Sequence, residues 1–221
     1  MNWPKITIDE ITEVVTKGTT PTTYGMPFTE SGVNFIKAEA LNGDSSLDIS
    51  GFTYVDETTH EALKRSILHD KDVLLTIAGA QVGRCGLVRN EHLPANTNQA
   101  VGIMRVNKAK ADARFVYYHF KNPRTFQKCQ GLGGQAAQPN INLTVLKGFL
   151  IQLPDLRVQR QIADILSAYD DLIEKTTDGG LRCWRRRRGC STVNGSSTSA
   201  SPATNTSRSS TASPRGGSAG C

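Results

Sequence analysis

Nowhere does the sequence hold a run of about 18 apolar residues, so no membrane-spanning helix is expected. The opening stretch MNWPKITIDE lacks the basic region and following apolar segment of a secretion signal, and the expected compartment is the cytoplasm. Cysteine is sparse and scattered. Cys85 and Cys129 stand alone in the body, while Cys183, Cys190 and Cys221 fall near the C-terminal end. No pair has the short spacing of a zinc site, and His60, His69, His92 and His119 do not cluster with them. The body thiols are therefore read as ordinary thiols of a reducing compartment. Catalytic signatures are missing too. There is no GxxxxGK[ST] phosphate loop and no G-x-S-x-G elbow. The Asp/Asn-Pro-Pro-aromatic signature of adenine methyltransferases is approached only by Asn122-Pro123-Arg124, and Glu174-Lys175 does not make a nuclease carboxylate set. These absences weigh against catalysis, and no cofactor or metal is expected to bind this chain.

Positive charge invites a nucleic-acid reading, but its distribution does not support one. The formal +6 belongs to the tail beyond Asp178, which holds seven arginines and no acidic residue. The first 178 residues carry 19 basic and 20 acidic groups, a net charge of −1. Bulk charge therefore does not identify what the body binds.

The pattern along the body is mixed α and β. Residues 6–15 fit either a short strand or a helical turn, 33–37 (VNFIK) alternate as a strand, and 42–46 (NGDSS) are a loop. Residues 57–67 suggest a short helix. Residues 72–80 (DVLLTIAGA) are the clearest strand, followed by strands at 86–90 and 100–106. A helix is expected over 112–123, stopping at Pro123, and a last strand over 149–153. The expected fold class is α+β: one domain over 1–153, with a mixed or antiparallel twisted sheet and short helices. A coiled-coil helix is expected over 154–178, with a disordered tail over 179–221.

The helix begins after Pro154 with Asp155 as N-cap. Val158, Ile162, Ile165, Tyr169 and Leu172 follow at spacings of 4, 3, 4 and 3, the seam of a coiled coil. So narrow a seam asks for a partner helix; the plain alternative is a helix packed on its own domain. From Gly179 onward the composition turns to Arg, Ser, Thr, Gly, Ala and Pro. That stretch reads as a basic arm, a linker, or the product of a shifted reading frame. Codons can be chosen for 180–206 whose third-position frame encodes an amphipathic helix continuing the seam, which establishes compatibility only.

Polar loops between apolar strands are the candidate binding features. They are KGTTPTTYG at 17–25, IAGAQVGRCG at 77–86, ANTNQ at 95–99 and GLGGQAAQPNIN at 131–142. Gln and Asn can pair with adenine edges, Arg can fork onto guanine, and glycine-flanked amides can donate to phosphates. The candidate DNA contacts are Gln81, Arg84, Asn98, Gln99, Gln135, Gln138, Asn140 and Asn142. Lys17, Lys37 and Lys147 are candidate phosphate contacts. The plain reading of each loop is a turn, with Gly79, Gly83, Asn98 and Gln99 holding the fold.

Taken in order, KGTTP at 17–21, LHDKDVLLTIAGAQVGRCG at 68–86, Asn98-Gln99, QAAQPNI at 135–141, IQLP at 151–154 and QRQIADILSAYDDLIE at 159–174 resemble the specificity subunits of Type I restriction–modification enzymes. The most specific piece is LP-x-L-x-x-Q-x-x-I-A-x-I-L-x-x-x-D-x-x-I at 153–173, and the resemblance covers about residues 1–177. It implies one target recognition domain and the start of a spacer helix that docks methyltransferase subunits, with double-stranded DNA as ligand. Family members usually carry two such domains, each reading half of a split target. S-adenosylmethionine, ATP and magnesium would belong to the methyltransferase and motor-nuclease partners. Relative to that pattern the chain looks truncated, with one domain and a short helix, so pairing with a second half-subunit is a further expectation. The competing classes are a non-DNA-binding coiled-coil interaction module and an enzyme of unrecognised type.

Overall fold

A computed structural model describes residues 3–41, 47–132 and 140–189. The ambiguous segment near the N-terminus resolves into strand, turn and strand: β1 (Lys5–Thr7), α1 (Ile8–Ile11) and β2 (Thr12–Lys17). Thr7 and Glu10 cap this turn reciprocally. Thr7 N donates to Glu10 Oε2 at 2.8 Å, and Glu10 N donates to Thr7 Oγ1 at 3.4 Å. Then come β3 (Val33–Ile36), β4 (Thr53–Val55), α2 (Glu57–Ala62), β5 (Val73–Thr76), β6 (Cys85–Leu87), β7 (Ala95–Thr97) and β8 (Val101–Val106). The chain continues through α3 (Ala113–Lys121), α4 (Pro123–Leu132), α5 (Leu143–Lys147), β9 (Leu150–Gln152) and α6 (Leu156–Gly189).

These strands form three sheets rather than one: β2-β8-β5-β6, β4-β3-β7 and β1-β9. Pairing is antiparallel except between β3 and β7, which are parallel, so the mixed α+β expectation holds. Side chains of β5 and β8 alternate between two cores, as a period of two requires. Val73, Leu75, Met104 and Val106 enter the cluster that includes Phe115, Phe120 and Ile151. Leu74, Val101 and Ile103 enter the cluster with Ile36, Leu41 and Val88. Burial of both faces explains why these two strands read as nearly continuous apolar runs.

Several boundaries differ from the sequence reading. The strand expected over 72–80 ends at Thr76, because Gly79 and Gly83, at φ +97° and +92°, turn the chain out of the sheet. The helix expected over 57–67 breaks at Leu63 into a 3-10 turn over Lys64–Ser66. Pro123 does not merely end α3; it opens α4 at a position where its missing N–H costs nothing. The loop expected at 95–99 is a strand for its first three residues. Asn96 and Thr97 are buried there, with Thr97 Oγ1 donating to Ile36 O at 2.7 Å. Helix α6 runs to Gly189, past the bound expected at 178. Residues 1–178 make one compact unit, so the first part of α6 belongs with the domain. The 42–46 loop and most of the 179–221 tail lie outside the described residues.

One charged pair anchors the central sheet. Asp72 is fully buried and accepts from Arg105 Nε at 2.9 Å, Arg105 Nη2 at 2.7 Å and His69 N at 2.8 Å. Asp72→Ala strands the guanidinium. The expected loss is about 2–3 kcal/mol, below the full cost of orphaning a buried charge because Arg105 keeps part of its side chain in solvent. Urea unfolding measures it, and an unchanged midpoint would show that the pair contributes nothing.

Candidate nucleic-acid interface

The polar loops meet at the N-terminal end of β8. Gly18 N donates to Val101 O at 3.1 Å, and Thr19 N donates to Thr97 O at 3.0 Å. Ile77 N donates to Ala100 O at 2.8 Å, and Ile141 N donates to Ile77 O at 2.7 Å. Ala78 and Asn140 form an antiparallel bridge. Loops 17–25 and 77–86, the end of 95–99 and the last residues of 131–142 are thus laced together by backbone bonds. Gly18 is required for its size: a Cβ there would stand 2.1 Å from Thr97 O. Gly83 combines its positive φ with close packing, since its Cβ would press on Cys129 and Phe126 of α4 at 3.0–3.1 Å.

Between these loops lies a groove of about 430 Å3. Its floor is made of small residues, including Ala38, Ala78, Gly79 and Ala100, and its polar lining comes from Glu39, Thr76, Gln81 and Gln99. Two polar oxygens of this lining, Thr76 Oγ1 and Gln81 Oε1, are buried without a hydrogen-bond partner among the described residues, as is Asn98 Oδ1 next to Gln99 in sequence. Buried acceptors left this way are costly unless water or a ligand completes them.

The candidate residues fare differently. Gln81 and Gln99 line the groove, and Gln99 Oε1 accepts from Thr20 Oγ1. Arg84 follows the 77–83 turn and is half-buried, its N donating to Gln81 O at 3.2 Å. Asn98 is half-buried, and its carbonyl accepts from Val101 N. Asn140 is exposed beside Ala78, whereas Asn142 N-caps α5 by accepting from Val145 N at 2.8 Å. Lys17 is exposed at the end of β2. Lys37 sits over the Phe28 ring, 4.5 Å from its centroid. Lys147 is ion-paired with Asp9 at 3.1 Å. Gln135 and Gln138 lie outside the described residues. The sequence reading missed Arg65, whose Nη2 donates to Thr19 Oγ1 at 3.4 Å, because it lies in a helical pattern 46 residues away. It also missed Thr76 and Glu39, which carry no local signal.

No poised acid, base or nucleophile accompanies the groove among the described residues. Burial pushes the Cys85 thiol up to about 12 and the Cys129 thiol up to about 11, so neither is a thiolate near neutrality. Burial likewise lowers the His92 and His119 imidazoles. No three His, Cys, Asp or Glu side chains converge as a metal site among the described residues.

Helix α6 turns two different faces to its surroundings. One packs on the domain. Gln159 is buried, its Oε1 accepting from Asp112 N at 2.9 Å and its Nε2 donating to Pro154 O at 2.8 Å. Ala163 is buried, Arg114 Nη1 reaches Asp164 at 2.7 Å, and Asp170 accepts from Tyr118 OH and Lys121 Nζ at 3.0 Å each. The Tyr118 hydroxyl is pushed up by burial and then by Asp170. The expected seam is divided between two environments. Val158 is half-buried and Ile162 packs against the core, whereas Ile165, Tyr169 and Leu172 are about 60 % exposed. No helix among the described residues is long and apolar enough to cross a membrane.

The profile of the Type I restriction modification DNA specificity domain matches residues 1–179, and the chain belongs to that family. It is 28 % identical over 182 residues to the putative type I restriction enzyme MjaX specificity subunit of Methanocaldococcus jannaschii, covering 78 % of this chain and 40 % of that protein. It is 27 % identical over 155 residues to the EcoBI specificity subunit of Escherichia coli, covering 69 % of this chain and 32 % of that protein. Among solved structures, the S subunit of a Type-I restriction-modification system from M. genitalium superposes with a TM-score of 0.58 at 18 % identity, over 80 % of this chain and 41 % of that one. The HsdS subunit from Thermoanaerobacter tengcongensis gives 0.58 at 15 % identity, over 85 % and 46 %. The chain thus spans less than half the length of these proteins. The family is one of non-catalytic specificity components, and the fold is the recognition-domain fold of its structural neighbours.

Gly18→Ala tests the lacing of the loops. The added methyl has to displace backbone, so loop 17–25 should lose its protection from amide exchange at Gly18 and Thr19 while β5 keeps its own. Unchanged exchange at those two amides would mean that the loop is not held by Thr97 and Val101.

Proposed function

We propose that this chain reads one half-site of a split double-stranded DNA target for a Type I restriction–modification complex. The observation that carries this is the convergence of amide- and hydroxyl-bearing loops around the end of β8. Such groups suit base edges, which present donor and acceptor patterns in the major groove. Lys17 and Arg65 stand on the loop 17–25 side, where cations can hold phosphates and set register. The reading residues would be Gln81, Arg84, Gln99 and Asn140, with Asn98 supporting them from beneath. The unit is close to neutral, so recognition rests on placed groups rather than on a basic field.

Chemistry would come from elsewhere. The exposed stripe Ile165, Tyr169 and Leu172 would dock methyltransferase subunits, or a second half-subunit through a partner helix. Methylation with S-adenosylmethionine, and ATP- and magnesium-dependent cutting by motor-nuclease subunits, would follow from that assembly. The chain itself would bind none of these cofactors. A second reading, a coiled-coil interaction module without DNA binding, draws on the same stripe.

The salt dependence of duplex binding separates the two. A DNA reader should lose affinity as salt rises, with the slope reporting the phosphates neutralised. Binding that is absent or insensitive to salt would favour the interaction module. Arg84→Ala should cost about 1–3 kcal/mol against a selected duplex and leave non-specific duplex binding nearly unchanged. Equal weakening toward all sequences would assign Arg84 to a phosphate.

For the helix, Ile165→Asp should abolish capture of the methyltransferase subunit. The circular dichroism melt should stay in place, because the side chain is exposed in the isolated chain. Undiminished capture would remove the stripe from the assembly.

A further inference from the structure

Glu39 is an unexpected residue at a DNA-reading groove. A carboxylate near phosphates is repulsive, so an interface tolerates one only where it meets a donor. Glu39 lies on the 3-10 turn Ala38–Ala40, exposed, and lines the same groove as Gln81 and Gln99. It has no ion pair or hydrogen bond among the described residues. The nearest cation in sequence, Lys37, is placed over Phe28 instead. The groove around it is otherwise built for close approach, its small floor residues leaving room for a flat, rigid edge. Thr76, fully buried and facing the groove, keeps its Oγ1 without a partner among the described residues.

We infer that Glu39 is a specificity-determining residue that accepts a hydrogen bond from the exocyclic amine of a cytosine in the target. This rests on the DNA-reading assignment above. Cytosine N4 is the major-groove donor that a carboxylate matches, while the neighbouring amides Gln81 and Gln99 suit adenine. The carboxylate then contributes discrimination rather than affinity: it rewards one base and penalises every alignment that leaves it beside a phosphate or a carbonyl.

The test is selection from a randomised duplex library by the full 221-residue chain, its E39Q variant and its E39A variant, followed by sequencing of the retained DNA. Melting of all three by circular dichroism verifies the fold. Wild type should enrich a site with one position fixed as cytosine. In both variants that preference should fall about tenfold or more, with the other positions intact. E39Q should move the position toward adenine, since a Gln amide pairs with its N6 and N7. An unchanged preference at every position would overturn the assignment, as would a uniform tightening toward all sequences, which marks a carboxylate that only repels phosphate. If wild type enriches no site, the DNA-reading assignment falls and this inference falls with it.

Discussion

The carbonyls of Thr97, Ala100 and Val101, from the end of β7 to the start of β8, are the constraint on which the proposed reading surface depends. Val101 O holds Gly18, Ala100 O holds Ile77, and Thr97 O holds Thr19; Ile77 in turn holds Ile141. Three segments far apart in sequence, at 18–19, 77 and 141, are thus tied directly or through Ile77 to the stretch 97–101 by backbone bonds, so their side chains are free to differ without loss of the scaffold. A recognition domain benefits from that division, because its ligand contacts can change while the lacing does not. The lacing in turn needs a glycine at 18, where any side chain would collide with Thr97 O. It also needs a sheet rigid enough to present β8, which the two-faced burial of β5 and β8 supplies.

A second constraint fixes the helix to the domain. Gln159, Ala163 and Asp170 face α3, while Ile165, Tyr169 and Leu172 lie about a third of a turn away and face solvent. The motif at 153–173 therefore carries two messages on one helix. Its polar members, with Ile162 and Ala163, hold the helix on the domain, and Ile165, Tyr169 and Leu172 stay exposed.

Much of this was legible in the sequence, for identifiable reasons. The apolar runs within 72–80 and 100–106 announced buried strands, and the 4-3-4-3 spacing announced the helix. Glycines at 18, 79 and 83 marked the turns. What stayed hidden were long-range relations. Nothing local distinguishes Asn96 and Thr97, buried in β7, from half-buried Asn98 and from Gln99, which lines the groove. The pairing of Lys147 with Asp9 and the stacking of Lys37 on Phe28 depend on residues distant or unpredictable in sequence. The seam was read as uniform because periodicity reports a stripe but not which part of it the domain already covers. Glu39 and Thr76 enter the groove only once β3, β5 and the segment before β8 are side by side.

The most direct test is hydrogen–deuterium exchange of the chain with and without a duplex that the chain itself has selected. If the converged loops read DNA, protection should rise at residues 18–24, 77–84, 97–100 and 140–142, while the amides of α6 stay as they were. Protection confined to α6 or to the β1-β9 edge, with those loops unchanged, would contradict the account.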